Sequence, residues 1–194
     1  MLSDPIEVTV RVAEVLANLG VACCIGGSIA SSAFGIVRAT NDGDIIADMR
    51  EAHGPGLVRA LGSEFYASTD AIRDAVRNRS SFNVIHIDTA WKVDVFVAKN
   101  RRFDQLQLSR RVRRRLTDDP PLEAFLASPE DTVLSKLEWY RDGGCVSDRQ
   151  WGDVQGVLKV QAGQLDLQYL LATARTLGVD ELLAEALREA GAAA

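Results

Sequence analysis

Two aspartates stand two residues apart in Asn41-Asp42-Gly43-Asp44, and a third, Asp94, sits in Lys92-Val93-Asp94-Val95-Phe96-Val97. Alternate residues of a strand share a face, so the carboxylates of Asp42 and Asp44 can converge on a hard divalent cation. Among the valines around it, an ionised Asp94 is costly unless it is paired or metal-bound. If its strand neighbours that of Asp42, three acids meet. Such a cluster repels itself, and a divalent cation is the usual means of keeping it ionised. Each part alone has a plainer reading. Asn41-Asp42-Gly43 is a good turn sequence, and Asp94 fits an exposed strand position opposite Lys92 or Arg101.

Gly26-Gly27-Ser28 lies between an apolar run, Val21–Ile25, and a small-residue helix, Ile29–Phe34. In such a turn absent side chains let phosphates approach, and helix N-terminal amides with a serine hydroxyl can donate to them. By itself it is equally an ordinary strand-to-helix turn.

The elements that must hold these residues can be read from caps and periodicity. Asp4-Pro5-Ile6-Glu7 predicts a helix over 5–19, ended by Gly20. Strands are expected over 21–25 and 42–48, and over 82–88 and 91–97 as an antiparallel hairpin turning at Thr89-Ala90. The second of these puts Asp42, Asp44, Ile46 and Asp48 on one face and Gly43, Ile45 and Ala47 on the other. Helices are expected over 55–61 and 70–76. After Ser128 and Ser147, each with a capping-box signature, the chain turns helical, and two more helices follow, capped by Asp166 and Asp180 with Gly178 between them. The alanine-rich tail is expected to fray. The loop Asp118-Asp119-Pro120-Pro121 divides the chain into a sheet domain, 1–118, and a helical domain, 119–194.

Composition narrows the class. The 194 residues are 47% hydrophobic and 25% charged, which excludes wholesale disorder. No apolar run approaches the ~20 residues of a membrane span, and the N-terminus lacks a signal-peptide pattern, so a cytoplasmic location and no membrane partner are expected. Three cysteines, two of them adjacent, fit neither a disulfide framework nor zinc spacing and read as buried and unpaired. His53 and His86 have no companion ligand at metal spacing. A net charge of −5 argues against a generally cationic surface. Even so, Arg101-Arg102, Arg110-Arg111 and Arg113-Arg114-Arg115 concentrate positive charge; a solvated face is the favoured reading, and guidance of RNA the other. Trp139, Tyr140 and Trp151 read as packing residues that bury against the sheet domain.

Taken jointly, Gly26-Gly27-Ser28, Arg38-Ala39-Thr40-Asn41-Asp42-Gly43-Asp44 and Lys92-Val93-Asp94 resemble the nucleotidyltransferase superfamily, whose pattern is a glycine-serine turn, a D-x-D strand and a third aspartate on a later strand. Ser135-Lys136-Leu137 through Arg149 and Trp151-Gly152-Asp153 resemble the helical segment of its small bacterial AbiEii-toxin-like and minimal members. The resemblance spans roughly Val21 to Val157. It implies an α+β fold, with a mixed sheet flanked by helices and a small helical region at the C-terminus.

It also implies a reaction in which an acceptor hydroxyl attacks the α-phosphorus of a nucleoside triphosphate and pyrophosphate leaves. Asp42, Asp44 and Asp94 would be the catalytic residues and hold Mg2+ or Mn2+. Gly26, Gly27, Ser28, Arg38 and Lys136 would bind the nucleotide, with Asp153 orienting Lys136 or Arg149. Gly43 stands where the family usually has an apolar residue, which is expected to leave a packing gap beneath the site and to weaken it. Three functions fit: transfer to RNA such as tRNA or to a protein hydroxyl, with a cognate toxin or antitoxin as partner; a catalytically weak binding or regulatory protein; and transfer to a small molecule of the aminoglycoside type.

Overall fold

The computed structural model describes residues 4–119 and 121–191. Seven strands form one sheet: β1 (Cys23–Ile25), β2 (Asp42–Ala47), β3 (Phe65–Tyr66), β4 (Ser81–His86), β5 (Lys92–Val97), β6 (Val112–Asp118) and β7 (Pro121–Leu126), in the order β3-β4-β5-β2-β1-β7-β6. The sheet is mixed. β2 runs parallel to β5, and β1 parallel to β7; the other neighbours are antiparallel, including the expected β4–β5 hairpin. Among the described residues the α-helices are α1 (Pro5–Asn18), α2 (Gly27–Phe34), α3 (Gly54–Leu61), α4 (Thr69–Asn78), α5 (Arg102–Ser109), α6 (Pro129–Asp142), α7 (Asp148–Val160), α8 (Leu167–Leu177) and α9 (Asp180–Ala190). The fold class is α+β, as expected.

Local chemistry starts the helices where their caps stand. The Asp4 carboxylate accepts from the amides of Ile6 and Glu7 at 2.7 and 2.9 Å, with Pro5 at the first position of α1. Ser128, Ser147 and Asp166 accept from Asp131, Gln150 and Tyr169 in the same way. Asp180 is the first residue of α9; Val179 is its cap, and no side chain bonds there. The tail from residue 192 onward, where fraying was expected, lies outside the described residues.

The chain divides into two compact units. The sheet unit comprises Met1–Ile29 and Ala39–Ala127. In it, Gly43, Ile45 and Ala47 of β2 and Val93, Val95 and Val97 of β5 are buried on one face. α1 packs on that face through Val8, Val12 and Leu16, which are fully buried. Burying each such side chain is worth roughly 1.5–3 kcal/mol, so this layer fixes which way both strands face. The boundary expected between 118 and 119 falls at the tip of the β6–β7 hairpin. β7 joins the sheet by pairing with β1 at Ile25 and Leu126, which carries the unit on through Ala127. Pro120 of the expected linker lies outside the described residues.

The helical unit comprises Ala30–Arg38 and Ser128–Ala194. Its core is built from Leu134, Leu137, Leu158, Leu170 and Leu183, all fully buried. Residues 30–38 belong to it because two glycines allow backbone to meet backbone. A Cβ on Gly35 would lie 2.7 Å from the Val157 amide nitrogen, and one on Gly156 would lie 3.2 Å from that of Ile36. The Gln161 side-chain amide also donates to the Phe34 carbonyl at 2.8 Å. Among the described residues no helix is long and apolar enough to cross a membrane.

Candidate active site

Parallel pairing of β2 with β5 sets Asp44 opposite Asp94 and Asp42 opposite Lys92. With a side-chain period of two, all four share the sheet face that α1 does not cover, and each is half-buried. The three acids anticipated as a cluster are therefore neighbours on adjacent strands. They are not alone. The Lys92 ammonium lies 2.8 Å from Asp94 Oδ2, the side chains being 40% and 18% exposed. Its hydrogen bond to Asp94 outweighs the effect of burial, and with the charges of Asp94, Asp42 and Asp44 it holds the ammonium pKa above its ordinary value. The protein thus supplies a cation of its own to the acidic face. The pairing of Asp94 with Lys92, weighed as the plain reading of that residue, is present.

The glycine turn reaches one of these acids, Asp44. The Gly26 amide donates to the Asp44 carbonyl at 2.8 Å, and Gly27 opens α2 with φ +53°. A Cβ on Gly27 would lie 1.7 Å from Asp44 Oδ2 and 2.5 Å from Asp44 Cγ. Only glycine permits both that backbone angle and that approach. Ser28 follows, half-buried, in the first turn of α2. Thr40 steadies the start of β2, its hydroxyl 2.9 Å from the Asp42 carbonyl oxygen and 3.1 Å from Asp42 Oδ1.

Gly43 leaves no gap. A Cβ there would lie 1.9 Å from Thr9 Oγ1 and 2.7 Å from Thr9 Cγ2, so Thr9 of α1 fills the space that an apolar side chain would take. Thr9 is fully buried, and its hydroxyl donates to the Pro5 carbonyl at 2.6 Å. The expectation of a void beneath the acids is corrected by this exchange of side chain between strand and helix.

Three carboxylates on one face, with no thiol or imidazole among them, form a donor set for a hard cation. The bare backbone of Gly27 lets the Asp44 carboxylate lie directly against the turn, in the space that a Cβ would otherwise take. The residues thus fit a divalent ion chemically. As they stand, no three acidic, imidazole or thiol groups among the described residues are close enough together to hold one.

In the helical unit, Asp153 collects the remaining candidates. Arg38 Nε and Nη2 donate to its two carboxylate oxygens at 2.7 and 2.8 Å, and Lys136 Nζ lies 2.7 Å from Oδ2. Asp153 and Lys136 are buried, and the Arg38 side chain is 24% exposed. Burial alone would raise the Asp153 pKa. The hydrogen bonds and charges of Arg38 and Lys136 overcome it and leave the carboxyl below its ordinary value. Asp153 orients Lys136 together with Arg38, while Arg149 is exposed.

No family model matches the chain, and no curated protein matches it. Solved structures do. The chain is similar to an antigenic nucleotidyltransferase-like protein from Paracoccidioides brasiliensis, with a TM-score of 0.53 and 17% identity over 93% of this chain and 90% of that one. It is similar also to the antibiotic-resistance factor ANT(2'')-Ia, with a TM-score of 0.56 and 14% identity over 90% of this chain and 94% of that one. The fold is nucleotidyltransferase-like. On this fold the acids and the glycine turn occupy one side of the sheet unit, and the Arg38–Asp153–Lys136 cluster belongs to the helical unit.

Other sequence features have structural roles on the nucleotidyltransferase-like fold. β6 pairs with β7 at the end of the sheet order, and its Arg113 and Arg115 pair with Glu123 of β7 at 3.0 and 4.0 Å. Charged side chains on an edge strand discourage pairing with another chain. Tyr140 and Trp151 pack on each other within the helical unit at 5.1 Å, and Trp151 Nε1 donates to Glu189 at 2.8 Å. Trp139, expected to be buried, is 55% exposed. Cys23 and Cys24 are buried as expected, Cys145 is exposed and not buried, and the three form no disulfide. Sequence reasoning missed Thr9 as the support of Gly43 and treated Lys92 only as a neighbour of Asp94. The i, i+2 spacing of Lys92 and Asp94 on one strand was the available signal.

Proposed function

We propose that the protein is a metal-dependent nucleotidyltransferase that moves a nucleoside monophosphate from a nucleoside triphosphate to an acceptor hydroxyl. One observation carries this reading: Asp44 and Asp94 face each other across parallel strands, while the turn before α2 presses bare backbone against the Asp44 carboxylate. Asp42, Asp44 and Asp94 would hold Mg2+ or Mn2+, which when bound supplies charge neutralisation to the triphosphate and to the attacking oxygen. Gly27 and Ser28 at the start of α2 would bind phosphate oxygens, and Gly26, whose amide is held by the Asp44 carbonyl, would shape the turn that lets them approach. Asp94 takes the proton of the acceptor hydroxyl; the oxygen bonds to the α-phosphorus, and the bond to the β-phosphate oxygen breaks, releasing pyrophosphate. Arg38 and Lys136 are assigned to phosphate charge, since with Asp153 they carry one net positive charge. This is chemistry of positioning and electrostatics, which suits acids and backbone amides.

A second reading, nucleotide binding without transfer, is favoured by the Lys92 ammonium on Asp94, which engages one of the three acids. The test is transfer of label from α-labelled triphosphates to RNA, protein or aminoglycoside, with and without magnesium, in wild type and Asp44→Ala. The aminoglycoside arm is included because one structural neighbour is an antibiotic-resistance factor. Magnesium-dependent transfer that disappears in the variant is the expected result and identifies the acceptor class. Magnesium-dependent nucleotide binding with no transfer to any acceptor would leave the second reading standing.

A further inference from the structure

Beyond the acids, at the other ends of β2 and β5, the sheet unit carries a groove of about 510 Å3. Among the described residues Arg50, Arg79, Lys99 and Arg111 line it, against a single carboxylate, Asp48. Four cations to one acid is a local excess in a chain whose net charge is −5. Nothing in the sequence pattern joins them, since they come from four separate stretches of chain. Of the arginine-rich stretch, it is Arg111 that lines the groove.

The cations are held in place unequally. Arg79 occupies the left-handed region, φ 48°, at the C-cap of α4, where glycine is usual, and keeps a side chain there. That side chain donates to the Ala98 carbonyl at 2.9 Å and lies 3.9 Å from Asp48. The Arg111 guanidinium donates to the Leu108 carbonyl and stacks over Phe125 at 4.8 Å. Arg50 and Lys99 are exposed and, among the described residues, have no ion-pair partner. Neutral donors, the side chains of Asn100 and Gln105, stand beside them. The apolar part of the lining is Ala22, Ala98 and Leu108, and among the described residues no aromatic ring lines it on which a base could stack.

We infer that this groove binds the phosphodiester backbone of an RNA strand, reading charge and not base. Guanidinium, ammonium and amide donors are the groups that contact phosphate oxygens, and contacts to phosphate position a nucleic acid without selecting sequence. The groove is separated from the acidic face by Ile46, which packs with Cys24, Ala98, Leu108 and Ala127. Asp44 and Asp48 are four residues apart, about 13 Å of extended chain, so a polymer suits the pair of sites better than a mononucleotide. The inference deepens the proposed function by naming its acceptor as RNA. It rests on that reading for the chemistry after binding, and binding itself is independent of it.

The experiment is fluorescence anisotropy of a labelled single-stranded RNA oligonucleotide with the whole protein, without nucleotide or magnesium, at several salt concentrations. With Asp48 offsetting one of the four cations, about three phosphates are neutralised. Affinity should then fall roughly 20-fold between about 50 and 200 mM salt, a log–log slope of about −2 for a single strand. Arg50→Glu/Lys99→Glu leaves two cations against three carboxylates, so it should weaken binding at low salt by more than about ten-fold and flatten the slope toward zero. Both residues are exposed, and an unchanged melting temperature would confirm that the fold is kept. Arg114→Glu, outside the groove, should bind as wild type. No RNA binding at low salt, or an unchanged slope in the double variant, would overturn the inference. So would equal competition by inorganic phosphate or a polyglutamate peptide, which would make the groove a site for single anions or acidic protein segments. RNA binding that survives where no label is transferred would sink the proposed function and leave this inference standing.

Discussion

Replacing Asp153 with asparagine tests whether a buried charge cluster, and not apolar packing alone, holds the helical unit together. Three donors converge on one carboxylate within 2.7–2.8 Å, and Asp153 and Lys136 are buried. Asparagine keeps the shape and removes the charge. Arg38, 24% exposed, can turn toward water, but Lys136 is left as a buried cation without its counter-ion. Breaking such a pair costs roughly 3–5 kcal/mol. At 2–4 °C per kcal/mol for a chain of this size, the melting temperature should fall by about 6–20 °C. Circular dichroism melts of wild type, Asp153→Asn and Asp153→Asn/Lys136→Met measure it. The double variant should recover much of the loss, because removing the stranded ammonium relieves most of the penalty. The dependence on pH follows from the lowered Asp153 pKa. A carboxyl whose folded pKa is depressed contributes stability that is complete above its unfolded value and is lost as pH falls through the folded one. The gap between wild type and Asp153→Asn should therefore be full at pH 7 and begin to close below about pH 4. A single variant within about 1 kcal/mol of wild type, or a double variant less stable than the single, would refute the reasoning.

Gly27→Ala puts a methyl group onto the Asp44 carboxylate, which must move by an ångström or more; label transfer should fall by about 100-fold, and near-normal rates would remove this turn from the site. Gly43→Ala collides with buried Thr9, so thermal melting should show a loss of roughly 1–3 kcal/mol; a neutral result would mean that α1 shifts freely. Lys92→Met removes a tethered competitor from Asp94, and because that pair is partly exposed the gain is modest. Magnesium should bind about five-fold tighter by titration calorimetry, equivalent to ~1 kcal/mol. Weaker binding would show that Lys92 assists the ion and does not compete with it.

What the sequence made legible was local. The cap at Asp4, the alternation in Asp42–Ala47 and the valines around Asp94 each carry their own signal, and α1, β2 and β5 stand where those signals put them. From the sequence β6 reads as a basic stretch, because Arg113, Arg114 and Arg115 break any apolar alternation, and β7 falls past the loop 118–121 in the expected helical domain. They form strands because the chain pairs back on itself and Leu126 completes the sheet beside Ile25. α5 escaped notice for a related reason. Its buried residues include Asp104 and Gln107, and polar residues in a core give no hydrophobic period.

The candidate site was legible to the extent that its chemistry lies on one strand or one turn. Which acids share a face follows from the period of two; that Asp44 meets Asp94 needs the β2–β5 register, which no local pattern in the sequence carries. Gly43 shows the limit from the other side. Read along the strand, a glycine between two acids is a defect. Read across the layer, it is one half of a pair whose other half, Thr9, lies 34 positions earlier and fills the space in its stead. The residue that marks departure from the usual motif therefore says nothing about weakened catalysis until its partner is known. A chain carrying Gly43→Val with Thr9→Gly should be closer in stability to wild type than Gly43→Val alone, because the second change vacates the volume that the first one claims.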